Sequence, residues 1–191
     1  MTSIKISSRQ DYWTALSNRN SMVVDFQQNL KTVKFKGLHN CYDYAELFVD
    51  RRTVVFSLPR PANVNSWDQL KQFDNAYMEL RSAGVDQICT VSNTPFIIPY
   101  TKIHGSNIVP LADVDLQFTQ LVKDYVGSTR DLKELSTLWQ YVIILNNGVP
   151  EKLFHNPLVD GMPLKMYCSP KYQYFRLGPD RILKYLLDNP R

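Results

Sequence analysis

Apolar positions in this chain fall in short clusters, and the spacing inside each cluster predicts its element. Thr53-Val-Val-Phe-Ser-Leu58 is an unbroken, β-branched run stopped by Pro59, the pattern of a strand buried on both faces. Gln87 to Val91 predicts a second such strand. Between them, Pro59-Arg-Pro-Ala-Asn-Val-Asn65 predicts a loop, because two prolines and two asparagines disfavour any regular element. Leu70, Phe73, Tyr77 and Leu80 then mark one face of a helix from Ser66 to about Ala83. Ser66 is its expected N-cap, with Gln69 in capping-box spacing, and Gly84 is its stop.

The remainder reads in the same way. Ile108 to Leu111 is a short strand, and Leu116 to Val126 is an amphipathic helix closed by Gly127. Trp139 to Leu145 and Val149 to Phe154 are strands joined by the hairpin turn Asn147-Gly148. Gly178-Pro179-Asp180 opens a last helix to Leu187, with Ile182, Leu183, Leu186 and Leu187 as its apolar face. Nearer the start, Met22 to Phe26 and Lys31 to Phe35 read as two short strands, and Asp43 to Phe48 as one or two helical turns. Phe96 to Lys102 is a short or kinked helix at best, being interrupted by Pro99. Residues 155–175 form an aromatic-rich loop with three prolines. The order predicts an α/β domain with a mixed sheet between helices, over 21–191, with 1–20 as an extension packed on it.

Composition narrows the function classes. A chain of 191 residues with 44% hydrophobic and 21% charged residues is an ordinary globular domain that needs no metal or disulfide to hold its core. Its net charge of +4 is spread among acids, so no clustered basic face for nucleic acid is expected. No apolar run approaches the ~20 residues of a membrane span, and the start lacks a signal-peptide pattern, so the expected place is the cytoplasm. The three cysteines, Cys41, Cys89 and Cys168, are too sparse for a disulfide framework. The three histidines, His39, His104 and His155, stand apart, so neither a metal site nor a cofactor is expected.

Several segments then carry a family resemblance. Ala45-Glu-Leu-Phe48 with Arg51-Arg-Thr-Val-Val-Phe-Ser-Leu-Pro59 resembles the entry to the catalytic loop of the atypical (type-II) peroxiredoxins. Gln87-Ile-Cys-Thr-Val-Ser-Asn-Thr-Pro-Phe96, Leu111-Ala-Asp113 with Gln117-Phe-Thr119, and Gln140-Tyr-Val-Ile-Ile-Leu-Asn-Asn-Gly-Val149 are similar to later segments of that family, in the same order. The resemblance covers roughly residues 20–188 and implies a thioredoxin-like fold. It also implies a thiolate at the start of the first long helix, where the helix N-terminus and a nearby arginine favour the anion that attacks the peroxide.

That motif is broken. Counting from Pro59 places Ser66 at the cysteine position and Asn63 at the threonine position; counting back from Leu70 places Asn65 at the cysteine position. The family's arginine positions fall near Thr137 and on Gln140. An unionised hydroxyl is no substitute for a thiolate. The expectation is therefore a redox-inactive structural or interaction module that self-associates or joins a larger assembly such as a virus particle. Tyr167, Tyr172, Tyr174 and Phe175 are its candidate contact residues, equally readable as a cover over the vacated pocket. The alternative is a thiol peroxidase attacking through Cys41, which has His39 two residues away, or through Cys168 in the aromatic-rich loop. Cys89 reads as a buried, inert residue of a strand, and Arg51-Arg52 as a solvated turn. Arg60, beside the loop, is a candidate to fill the pocket.

Overall fold

The computed structural model describes residues 21–37, 41–58, 64–95, 106–127, 131, 140–155 and 177–191. Seven strands form one mixed sheet in the order β2-β1-β5-β4-β3-β6-β7. They are β1 Phe35–Lys36, β2 Cys41–Tyr42, β3 Arg52–Ser57, β4 Gln87–Ser92, β5 Val109–Ala112, β6 Tyr141–Asn146 and β7 Val149–His155. The central β3, β4 and β5 run parallel, so their C-terminal ends share one rim of the sheet. β6 lies antiparallel to β3, and β1 and β2 close the opposite edge as a small antiparallel pair. The helices are α1 (21–30), α2 Tyr44–Phe48, α3 Val64–Asn75, α4 Tyr77–Ser82, α5 Gln117–Val126 and α6 Pro179–Asp188.

β3 and β4 are buried almost throughout because both faces of the sheet are covered. On one face Val55, Cys89, Val91, Leu111, Tyr141 and Ile143 pack under α1, α2 and α5. On the other, Val54, Phe56, Ile88, Ala112 and Ile144 pack under α3, α4 and α6, where Phe56 stacks on Phe73 with centroids 4.2 Å apart.

Two expectations for the N-terminal part are corrected. Residues 21–30 are helical rather than a strand, and the next strand begins only at Phe35. Met22-Val-Val suggests a strand locally, yet Phe26 and Leu30, four apart, bury one helical stripe against α5, with Phe26 edge-on to Phe118 and Tyr125. The long helix expected to start at Ser66 begins at Val64, so Ser66 lies inside its first turn and is not the cap. The capping box is also absent: Gln69 instead donates from Nε2 to the Leu177 carbonyl, 3.4 Å away, tying α3 to the approach to α6. That helix divides at Ala76 (φ −84°, ψ 4°), although Leu80 N still bonds the Ala76 carbonyl at 2.9 Å.

The β6–β7 turn is as expected. Asn147 (φ 54°) and Gly148 (φ 74°) have the left-handed pair of values that a two-residue hairpin needs. Tyr44 donates to the Asn147 carbonyl at 2.8 Å, and the Asp50 amide donates to Asn147 Oδ1 at 3.1 Å, so the turn is pinned to α2. Residues 1–20, the segment 96–102 and all but the first residue of 155–175, with the elements expected there, lie outside the described residues.

Candidate functional site

The site follows from chain direction. β3 ends at Ser57 on the C-terminal rim of the parallel strands, and α3 begins at Val64 directly after the intervening loop. A helix of twelve residues places positive dipole charge at that start. Asn65 and Ser66, the two positions at which the resemblance leads a thiol to be expected, both fall in this first turn, and Ser66 is buried. Neither carries sulfur. Thr137 and Arg60 lie outside the described residues, as do Asn63, His39, Cys168 and the aromatic group Tyr167, Tyr172, Tyr174 and Phe175. Gln140, the second arginine position, stands immediately before β6.

Polar groups brace the rim beside this helix. Ser57 Oγ accepts from the Tyr141 amide at 2.9 Å, joining the ends of β3 and β6. Asp113, just past β5, accepts from the Phe118 amide (3.1 Å), the Thr119 amide (2.8 Å) and the Thr119 hydroxyl (2.7 Å). It thereby caps α5 from a distance of five residues, the structural use of the Leu111-Ala-Asp113 segment. Burial raises the Asp113 carboxyl above the ordinary carboxylate range despite these donors. Burial, and then the nearby Asp113 charge, raise the Tyr141 phenol as well.

The two described thiols differ in kind. Cys89 sits opposite Val55 in the middle of the sheet, fully buried, and burial pushes its thiol up to about 12. Such a thiol stays protonated and out of reach of peroxide, as expected. Cys41 is exposed. It belongs to β2, which fastens to the sheet through β1: Lys36 pairs with Cys41 on one side and with Ala112 on the other. Ala112 in turn pairs with Ser92 at the end of β4, so Cys41 lies on the rim from which the loop into α3 departs. Directly opposed residues share a face, so Lys36 and Cys41 lie on the Ala112 face, the one α3 covers. Four strand spacings separate β2 from β3, about 19 Å. The first turn of α3 and the Cys41 thiol are neighbours on one rim, not contacts.

Sequence reasoning missed the Lys36–Cys41 pairing, because two-residue strands carry no readable alternation. It also misjudged Arg52, expected in a solvated turn. Arg52 is only 2% exposed, donates from Nε to Glu151 Oε2 at 2.9 Å and from Nη2 to Glu151 Oε1, and also reaches the Asn189 carbonyl at 3.0 Å. This pair lies at the opposite rim and is structural. Among the described residues no group of His, Cys, Asp or Glu is placed to hold a metal ion. No described helix is long and apolar enough to cross a membrane.

Comparison with known proteins places this geometry. No family model matches the chain. It is 30% identical over 141 residues to the hybrid peroxiredoxin hyPrx5 of Haemophilus influenzae, a match covering 68% of this chain and 58% of that protein. It is 30% identical over 118 residues to a peroxiredoxin of Rhizobium etli, covering 57% of this chain and 63% of the relative. The chain thus spans less than two thirds of the length of each of these curated relatives. Among solved structures, reduced Prx3 from Vibrio vulnificus superposes with a TM-score of 0.61 at 23% identity, covering 83% of this chain and 95% of that one. These likenesses bear out the thioredoxin-like α/β fold and overturn the expected redox-inactive structural module. Both curated relatives are peroxiredoxins, and nothing among the likenesses points to a structural role or a virus particle.

Proposed function

This chain is a peroxiredoxin-like protein of the thioredoxin fold, and from that premise we propose that it reduces peroxides through a relocated cysteine, Cys41. The observation that carries the reading is the exposed Cys41 thiol, paired with Lys36 on the rim and face of the sheet that α3 shares. The Cys41 thiolate attacks one peroxide oxygen and the O–O bond breaks. Water or an alcohol leaves with a proton, and the sulfur becomes a sulfenic acid. Two equivalents of an external thiol then restore Cys41, leaving as a disulfide and water. Lys36 supplies positive charge beside the reacting sulfur. The first turn of α3, without sulfur at Asn65 or Ser66, takes no part in the covalent step. A chain using free thiols in this way suits a reducing compartment, and we place its activity in the cytoplasm.

The test is hydrogen peroxide consumption with dithiothreitol as reductant. Cys41→Ser is expected to lose activity, Lys36→Met to lower it, and Cys89→Ser to keep it. Consumption that persists in Cys41→Ser, or its absence in the wild type, would sink the proposal.

A further inference from the structure

The corner where β3 begins, beside the ends of α4 and α6, holds a buried cation with one idle donor. The Arg52 side chain is 3% exposed. Its guanidinium engages Glu151 side-on through Nε and Nη2, and Nη2 also donates to the Asn189 carbonyl at 3.0 Å. Nη1, with two hydrogens, is buried and has no acceptor among the described residues. Leaving such a donor unpaired is costly, so a native fold calls for a ligand that accepts from it.

The space beside Nη1 is open on the Gly84 side. Gly84 has φ +89°, and a Cβ built there would meet Arg52 Nη1 at 3.7 Å and the Arg191 Cβ at 3.8 Å as its nearest neighbours. Both are ordinary van der Waals distances, so the gap between these three residues takes an added atom without displacing any. Nη1 itself is buried, so the gap is narrow, the size of one atom rather than of a sulfate.

Charge decides what enters. The carbonyls at the ends of α4 and α6 would by themselves repel an anion. Here they are engaged: Arg52 holds the Asn189 carbonyl, and Arg81 donates from Nη1 to the carbonyls of Val85 and Asp86. The Asp86 carboxylate accepts from the Arg52 amide at 2.8 Å and from Arg191 Nη1 at 2.6 Å. Three guanidinium groups thus share two carboxylates, Asp86 and Glu151, which leaves one positive charge over.

We propose that this corner binds a single halide-sized anion, chloride under ordinary ionic conditions. Arg52 Nη1 donates to the ion, Gly84 and Arg191 wall it, and the ion ties the start of β3 to the ends of α4 and α6. Arg191, its side chain 45% exposed, is the wall that moves to admit it. The site is on the rim opposite Cys41 and is independent of the thiol chemistry proposed above.

Urea unfolding in sodium chloride and in sodium gluconate of equal ionic strength is the test, gluconate being too large to enter. With about 200 mM chloride and a dissociation constant of about 10 mM, the folding equilibrium constant should rise about twentyfold over gluconate. Gly84→Ala fills the gap and Arg52→Met/Glu151→Met removes the donor, so each should gain less than about twofold, whatever its own stability. Arg51→Ala, at an exposed arginine of the same rim, should keep the full gain. A crystal grown with sodium bromide should show anomalous scattering within about 3.5 Å of Arg52 Nη1. An equal chloride gain in all variants, or water in place of bromide beside Nη1, overturns the proposal. A bromide peak without the chloride-specific gain marks an adventitious ion only and overturns it too.

Discussion

Replacing Arg52 by methionine tests how the sheet holds its C-terminal helix. The guanidinium is buried, makes two charge-assisted hydrogen bonds to Glu151 on β7, and donates to the Asn189 carbonyl just past α6. Methionine keeps most of the aliphatic volume but supplies no donor. The Glu151 carboxylate, 20% exposed, then loses its cation while remaining largely desolvated, a loss of about 2–3 kcal/mol for a pair with some access to water. The Asn189 carbonyl loses its donor for about 1 kcal/mol more. The sum, about 3–4 kcal/mol, is a large share of the stability of an ordinary domain. Urea unfolding followed by circular dichroism measures it as a lower midpoint with an unchanged slope. Because the unpaired acid causes most of the loss, Arg52→Met/Glu151→Met should recover to within about 1–2 kcal/mol of the wild type. A single substitution costing under about 1 kcal/mol, or a double variant as unstable as the single, would refute this reasoning.

Two further outcomes follow from the hairpin and the buried thiol. Gly148→Ala should destabilise by about 2–4 kcal/mol in the same urea assay, since φ is +74° and an added Cβ would overlap the Tyr44 ring, itself held by its bond to Asn147. Cys89 should react with a chromogenic disulfide reagent only after unfolding, whereas Cys41 reacts in the native protein. Folding raises the Cys89 thiol from 9.0 to about 12, so its contribution to stability is complete below pH 9 and is lost as pH rises from 9 towards 12. A Cys89→Ala variant should show a smaller loss of stability over that window.

Much of the fold was legible along the chain, and the reason is local. β3, β4, β6 and the Asn147-Gly148 turn follow from contiguous apolar runs and from backbone values that only certain residues adopt cheaply. α5 and α6 follow from apolar positions three and four apart between recognisable start and stop residues. The missing sulfur at Asn65 and Ser66 is likewise a property of the sequence, independent of any coordinate.

Tertiary structure decided the rest, because the deciding interactions join residues distant in sequence. Residues 21–30 became a helix because Phe26 and Leu30 met α5, almost a hundred positions on, and such packing outweighs the β preference of two valines. Arg52 was drawn inside by Glu151 and Asn189, ninety-nine and one hundred and thirty-seven positions away. Cys41 acquired Lys36 as its neighbour through the pairing of β1 with β2, and a place on the rim that α3 shares through the pairing of β1 with β5. Sequence alone determined that neither Asn65 nor Ser66 carries sulfur; the sheet decided where the Cys41 thiol stands.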